Sequence, residues 1–100
     1  MKITYAPQAL RDIDEILAYI RERSSQGARS VSIAIEYRIH LCALNPHAGS
    51  KTDEPNVCRR ALGKYNYAIF YRTLADDSGI EVARVIHGAR IKNLRKMPRS

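Results

Sequence analysis

The hydrophobic spacing changes character at Asn45-Pro46, and this switch constrains the fold more than any other feature of the chain. Before it, apolar residues recur at helical intervals. Leu10, Ile13, Leu17 and Ile20 form one stripe, widened by Ala9 and Ile16, while Arg11, Asp12, Asp14, Glu15 and Glu22 take mostly the other sides. Pro7 suits the first turn of that helix, where its missing N–H costs nothing. Ser24-Ser25-Gln26-Gly27 reads as a short helix–helix connection. A second stripe follows, with Val31, Ile35, Ile39 and Cys42 on one line and Ala34, Tyr37, Leu41 and Leu44 beside it, ended by Asn45-Pro46. The two segments predict an antiparallel helical hairpin.

After the switch the chain favours strands. His47 to Asn56 is polar and rich in turn formers, and reads as an exposed loop. Val57–Leu62, Tyr65–Thr73 and Ile80–Ile86 read as three strands, joined by Gly63-Lys64 and by Ala75-Asp76-Asp77-Ser78-Gly79. Short turns make these strands antiparallel. Lys2–Tyr5 adds a strand at the start, and Ala89–Ser100 reads as a short basic helix or tail. The expected fold is α+β: an N-terminal strand and a helical hairpin packed on one face of a small antiparallel sheet. The other sheet face is expected to be open, to hold part of the Arg and Tyr complement, and to carry the site.

One hundred residues suffice for a single domain spanning 1–100, with a small core that makes dependence on a partner plausible. No apolar run approaches the roughly 20 residues of a membrane span. The N-terminus reads without a signal-peptide stretch, so a cytoplasmic location with no membrane partner is expected. Cys42 and Cys58 are expected to be reduced, buried thiols. There is no Gly-rich phosphate loop, no Cys-x-x-Cys and no histidine pair at ligand spacing, so neither a metal nor a cofactor is expected. His40 reads as a partly buried or surface histidine, and Asp12, Asp14 and Glu15 as a solvated helix face favoured by the helix dipole.

The charge distribution is more informative. The chain carries a formal +7, and residues 51–100 hold eleven basic and five acidic side chains against six and five in residues 1–50. From Arg84 onward there are six basic residues and no acid. That block is expected to meet an anionic partner, a nucleic acid or an acidic protein segment. Arg59, Arg60 and Arg72 on the strands add guanidinium groups suited to phosphates or carboxylates. Arg59 and Arg60 are adjacent on one strand, so they point to opposite faces.

Several stretches together resemble the RelE/ParE superfamily of type II toxin–antitoxin toxins. They are Tyr5-Ala6-Pro7-Gln8-Ala9-Leu10-Arg11-Asp12-Ile13-Asp14-Glu15-Ile16, Leu44-Asn45-Pro46-His47-Ala48-Gly49, Tyr65-Asn66-Tyr67-Ala68-Ile69-Phe70-Tyr71-Arg72 and Val82-Ala83-Arg84-Val85-Ile86-His87-Gly88-Ala89-Arg90. The resemblance covers nearly the whole chain. It implies a toxin neutralised by a cognate antitoxin, of the ribbon–helix–helix, ParD-like kind, through which the pair contacts operator DNA.

The superfamily holds two mechanisms: ribosome-dependent mRNA cleavage, and poisoning of DNA gyrase. Cleavage needs a base, an acid and cations on the developing phosphorane charge. Arg90 matches the family arginine after the last strand, and His87 is the available base. No tyrosine or histidine follows Arg90, and Gly63-Lys64 stands where another arginine is expected. The incomplete set and the His-Gly-Ala-Arg ending favour the ParE-like, gyrase-directed branch, in which no residue is catalytic. Arg84, Arg90, Lys92, Arg95 and Lys96 are then the target-binding candidates, and Arg59, Arg60 and Arg72 bind antitoxin or phosphate. The alternatives are a RelE-like endoribonuclease using His87 and Arg90, and an inactive interaction module.

Overall fold

The computed structural model describes residues 2–63 and 65–88. Its elements are β1 (Lys2–Tyr5), α1 (Pro7–Arg21), α2 (Ser25–Leu44), a 3-10 turn (Pro46–Ala48), β2 (Ser50–Lys51), β3 (Val57–Ala61), β4 (Tyr67–Thr73) and β5 (Gly79–His87). Both helices begin where local chemistry predicts a start. Pro7 opens α1 behind an extended Ala6. The Ser24 side chain accepts the Gly27 N–H at 2.9 Å and caps α2. The expected connection at Ser24–Gly27 therefore shifts: Ser25, Gln26 and Gly27 form the first turn of α2, because Ser24 is a cap.

The five strands form one sheet in the order β1-β5-β4-β3-β2. The last three strands are antiparallel, as their short turns require. The first strand is parallel to β5, with Lys2 opposite Gly79 and Tyr5 opposite Val82, so the sheet is mixed. That pairing needs glycine at 79, since a side chain there would overlap the Lys2 carbonyl. The polar stretch after α2 is not all loop: Ser50 and Lys51 pair with Arg59 and Cys58 as a two-residue edge strand.

Side-chain alternation on β4 separates two apolar clusters. Ile69 and Tyr71 face the helices and pack with Ala9, Val31, Ile35, Ile39 and Cys42 in the main core. Ala68 and Phe70 point the other way and form a second cluster with Val57, Ala83 and Ile86. A bulge between β4 and β5 lets Tyr71 face Val82 while Phe70 faces Arg84, so Ala83 is the extra residue. It keeps both Val82 and Val85 in the helix-side core, three positions apart.

The expectation of an open outer face bearing arginines and tyrosines is corrected in its openness and its tyrosines, while Arg59 and Arg72 do lie on that face. Phe70, Ala68 and Ile86 on that face are at most 2% exposed. Tyr67 and Tyr71 share the parity of Ile69 and lie on the helix side, with Tyr65 packed against the same core. The outer face is apolar at its centre.

Candidate functional site

Asp12 is the only charged residue among the buried ones described, at 4% exposure. It stands three positions after Ala9 and so shares the inward face of α1, which corrects its reading as part of a solvated face. Asp14 and Glu15, its neighbours in sequence, are exposed. The Asp12 carboxylate takes a two-pronged grip from Arg84, whose Nε donates to Oδ2 at 2.8 Å and Nη2 to Oδ1 at 3.2 Å. The Val85 N–H donates to Oδ2 at 3.0 Å, and Gln8 Nε2 to Oδ1 at 3.1 Å. The parallel partner β1 covers β5 only as far as Val82. Beyond it, Asp12 satisfies a backbone donor that the sheet leaves unpaired. Arg84, expected to contact a target, has its guanidinium committed to this carboxylate, with the side chain 18% exposed.

Beside this anchor, a groove of about 390 Å³ runs between α1 and the ends of β4 and β5. Glu15, Ile16 and Tyr19 line it from α1, and Tyr67, Val85 and His87 from the sheet. Tyr67 and His87 are register partners, and their rings meet edge to face at 5.0 Å. Burial raises the Tyr67 hydroxyl above its ordinary pKa, with the nearby Tyr19 adding to the effect. Arg23 lies 4.1 Å from the centre of the Tyr19 ring. His87, the candidate base, thus sits in an aromatic wall of the groove. Arg90, its sequence-level partner, lies outside the described residues, as do Lys92, Arg95 and Lys96.

The three strand arginines do not converge. Arg59 pairs with Phe70 and Arg72 with Val57, which places both on the outer face. Arg59 is exposed, and Arg72 reaches Glu81 at a long 3.6 Å. Such a half-exposed pair contributes little stability. Arg60 pairs with Ile69 and faces α2. There its positive charge, together with that of Arg38 on α2, acts on the Cys42 thiol. Burial nonetheless dominates and pushes the Cys42 thiol up, the two guanidinium groups pulling it the other way. Arg38 was not singled out from sequence, because it falls within a helical run with no local signal. Asp12 was missed for a related reason: its partner is 72 residues away.

Tyr71 explains one of the stretches that carried the resemblance. Its hydroxyl donates to the Pro46 carbonyl at 2.7 Å. The loop passes so close that a side chain at Gly49 would collide with that hydroxyl. Asn45-Pro46-His47-Ala48-Gly49 is therefore a clasp that fastens the end of α2 to the sheet. Burial, above all other causes, pushes the Tyr71 pKa up to about 12. Cys42 is buried and Cys58 half-buried, and both are free thiols. Among the described residues no group of three or more His, Cys, Asp or Glu could hold a metal ion. None of their helices is long and apolar enough to cross a membrane.

An N-terminal strand, a helical hairpin laid on one face of a sheet, and a meander that closes against the first strand define the RelE/ParE-like α+β fold. Solved structures agree. A chain of the chromosomal ParDE toxin–antitoxin system from P. aeruginosa superposes with a TM-score of 0.72 at 17% identity, covering 87% of this chain and 95% of that one. An E. coli RelE toxin mutant in complex with an antitoxin RelBc peptide reaches 0.52 at 13% identity, covering 98% and 95%. No curated protein matches the sequence significantly. The family model of the ParE toxin of the type II toxin–antitoxin system, parDE, matches residues 3–92. The chain belongs to that ParE toxin family.

Proposed function

We propose that this chain is the toxin of a cytoplasmic toxin–antitoxin pair that acts on DNA gyrase, trapping the cleaved DNA complex and halting replication. The observation that carries the reading is the ParE family match, which runs through Lys92 and so into the basic C-terminal segment. Arg90, Lys92, Arg95 and Lys96 supply the contacts to gyrase or its DNA, where positive charge steers association with a polyanion. Arg84 acts behind them: by holding Asp12 it fixes the end of β5, from which that segment departs.

A ParD-like, ribbon–helix–helix antitoxin neutralises the toxin by laying an extended segment along the helices. Support comes from the outer side of α2, where Ile33, Tyr37 and Leu44 are 58%, 63% and 67% exposed. Large apolar side chains exposed along one helix mark a surface made to be covered. Arg59 and Arg72 remain candidates for the acidic residues of the same partner.

The test is to incubate the purified protein with gyrase, ATP and supercoiled plasmid, then denature the enzyme and look for linear DNA. Linear product is expected, and it is lost when Arg90, Lys92, Arg95 and Lys96 are replaced together. A folded, toxic protein that yields no linear DNA but leaves cleaved transcripts on ribosomes would overturn the gyrase assignment in favour of RNA cleavage through His87 and Arg90.

A further inference from the structure

We propose that the groove between α1 and the ends of β4 and β5 receives an arginine side chain from a partner protein. Three of its lining residues carry rings, Tyr19, Tyr67 and His87, and Ile16 and Val85 add apolar surface. The others are the acids Asp12 and Glu15. No lysine or arginine is among them, although the chain as a whole carries a formal +7. Asp12 has its carboxylate filled by Arg84, Gln8 and the Val85 N–H. Glu15 is exposed and pairs with no described cation, so the groove keeps one uncompensated negative charge. Aromatic rings beside a carboxylate favour a cation over a neutral or anionic group.

The rings select a guanidinium. It is planar, weakly hydrated and stacks on aromatic faces, whereas an ammonium holds its water more tightly. The chain already shows the interaction: Arg23 lies 4.1 Å from the centre of the Tyr19 ring, yet does not line the groove. One face of that ring thus takes the chain's own guanidinium and leaves the other for a ligand. The edge-to-face contact of Tyr67 with His87 at 5.0 Å holds the sheet-side wall in place. The volume of about 390 Å³ lies in the lower part of the range for small-ligand sites, roughly 300–1,000 Å³. Ile16 and Val85 suit the methylene stem of an arginine. The source is a peptide rather than free arginine, because no cation in the groove would meet a free α-carboxylate. The site shares no residue with the exposed Ile33, Tyr37 and Leu44 of α2, and does not depend on the gyrase reading.

The probe is N-acetyl-arginine amide, titrated into the full chain at constant ionic strength and followed by NMR of the aromatic ring protons. Saturable shifts at Tyr19, Tyr67 and His87 are expected, while the uncharged citrulline analogue moves them little at the same concentration. Glu15→Gln should weaken binding roughly two- to fivefold, and Tyr19→Leu by a similar factor. Both residues are exposed, so neither substitution threatens the fold. Glu22→Gln removes an exposed acid at the C-cap of α1, outside the groove, and should leave the affinity unchanged. Equal shifts with the citrulline analogue, or an affinity that Glu15→Gln leaves intact or that falls equally in Glu22→Gln, would overturn the proposal. So would binding that emerges only after Arg90, Lys92, Arg95 and Lys96 are replaced together, since the chain's own basic segment would then be the occupant. An alanine pentapeptide with a central arginine should bind at least as tightly as the blocked amino acid. Weaker binding of the peptide would overturn the partner protein as the source and assign the groove to a free guanidinium compound.

Discussion

Replacing Asp12 by alanine removes the acceptor of four donors at once: two from Arg84, the Val85 N–H and the Gln8 amide. Taking one partner from a buried ion pair costs about 3–5 kcal/mol, because the remaining charge stays where water reaches it poorly. Arg84 retains 18% side-chain exposure, so its guanidinium recovers some hydration, and the lower end, about 3 kcal/mol, applies. For a chain of this size, that lowers the melting temperature by roughly 12–24 °C. Arg84→Ala should cost as much or more, since it strands the carboxylate, which is only 3% exposed. The double variant strands neither charge. Its loss should fall short of the sum of the single losses by about 2–3 kcal/mol, the upper range of coupling energies between contacting residues. Urea unfolding followed by circular dichroism measures all four proteins on one scale. A coupling energy within about 0.5 kcal/mol of zero would refute the reasoning, as additivity of that quality belongs to independent sites. The same series bears on function. If Arg84 is an anchor, Asp12→Ala reduces gyrase poisoning as Arg84→Ala does, although it leaves every basic residue in place.

The Tyr71 clasp predicts a pH dependence. With its pKa raised from 10.0 to about 12 on folding, Tyr71 contributes stability that is complete below pH 10 and is lost as pH rises towards 12. Tyr5 and Tyr67 are shifted in the same direction, so Tyr71→Phe should reduce the alkaline slope without abolishing it. At neutral pH that variant loses the bond to Pro46 and about 0.5–1.5 kcal/mol, read as a lower urea midpoint. Gly79→Ala should detach β1 from β5, with early amide exchange at Ile3 to Tyr5, because the new methyl group overlaps the Lys2 carbonyl. Thiol reagents should modify Cys58 well before Cys42, which is fully buried and whose thiol is pushed up; equal rates would contradict the packing of α2 on the sheet.

Local chemistry made most elements legible. Pro7 and Asn45-Pro46 bracket the helices, the β-branched and aromatic runs mark β3, β4 and β5, and the turn at Ala75–Gly79 appears as expected, with Asp77 at φ 58°. From sequence, Ser24 reads as a loop residue because a cap and a turn draw on the same residue types. Asp12 shows a deeper limit. The tendency of acids to favour an early helical turn argued for solvent, and only packing against the free edge of β5 turned this acid inward.

The sequence alone determined the order of elements, the two amphipathic helix faces and the basic second half, because spacing, turn chemistry and charge are properties of neighbouring residues. The tertiary structure alone decided what is far apart in the chain. It placed β1 parallel to β5 and shifted the side-chain parity at Ala83 through a bulge. It turned Tyr67 and Tyr71 to the helix side and joined Arg84 to Asp12. A strand's parity depends on its partner's register, and a buried charge is tolerated only where a distant group meets it. Neither condition is written in any local stretch of the chain.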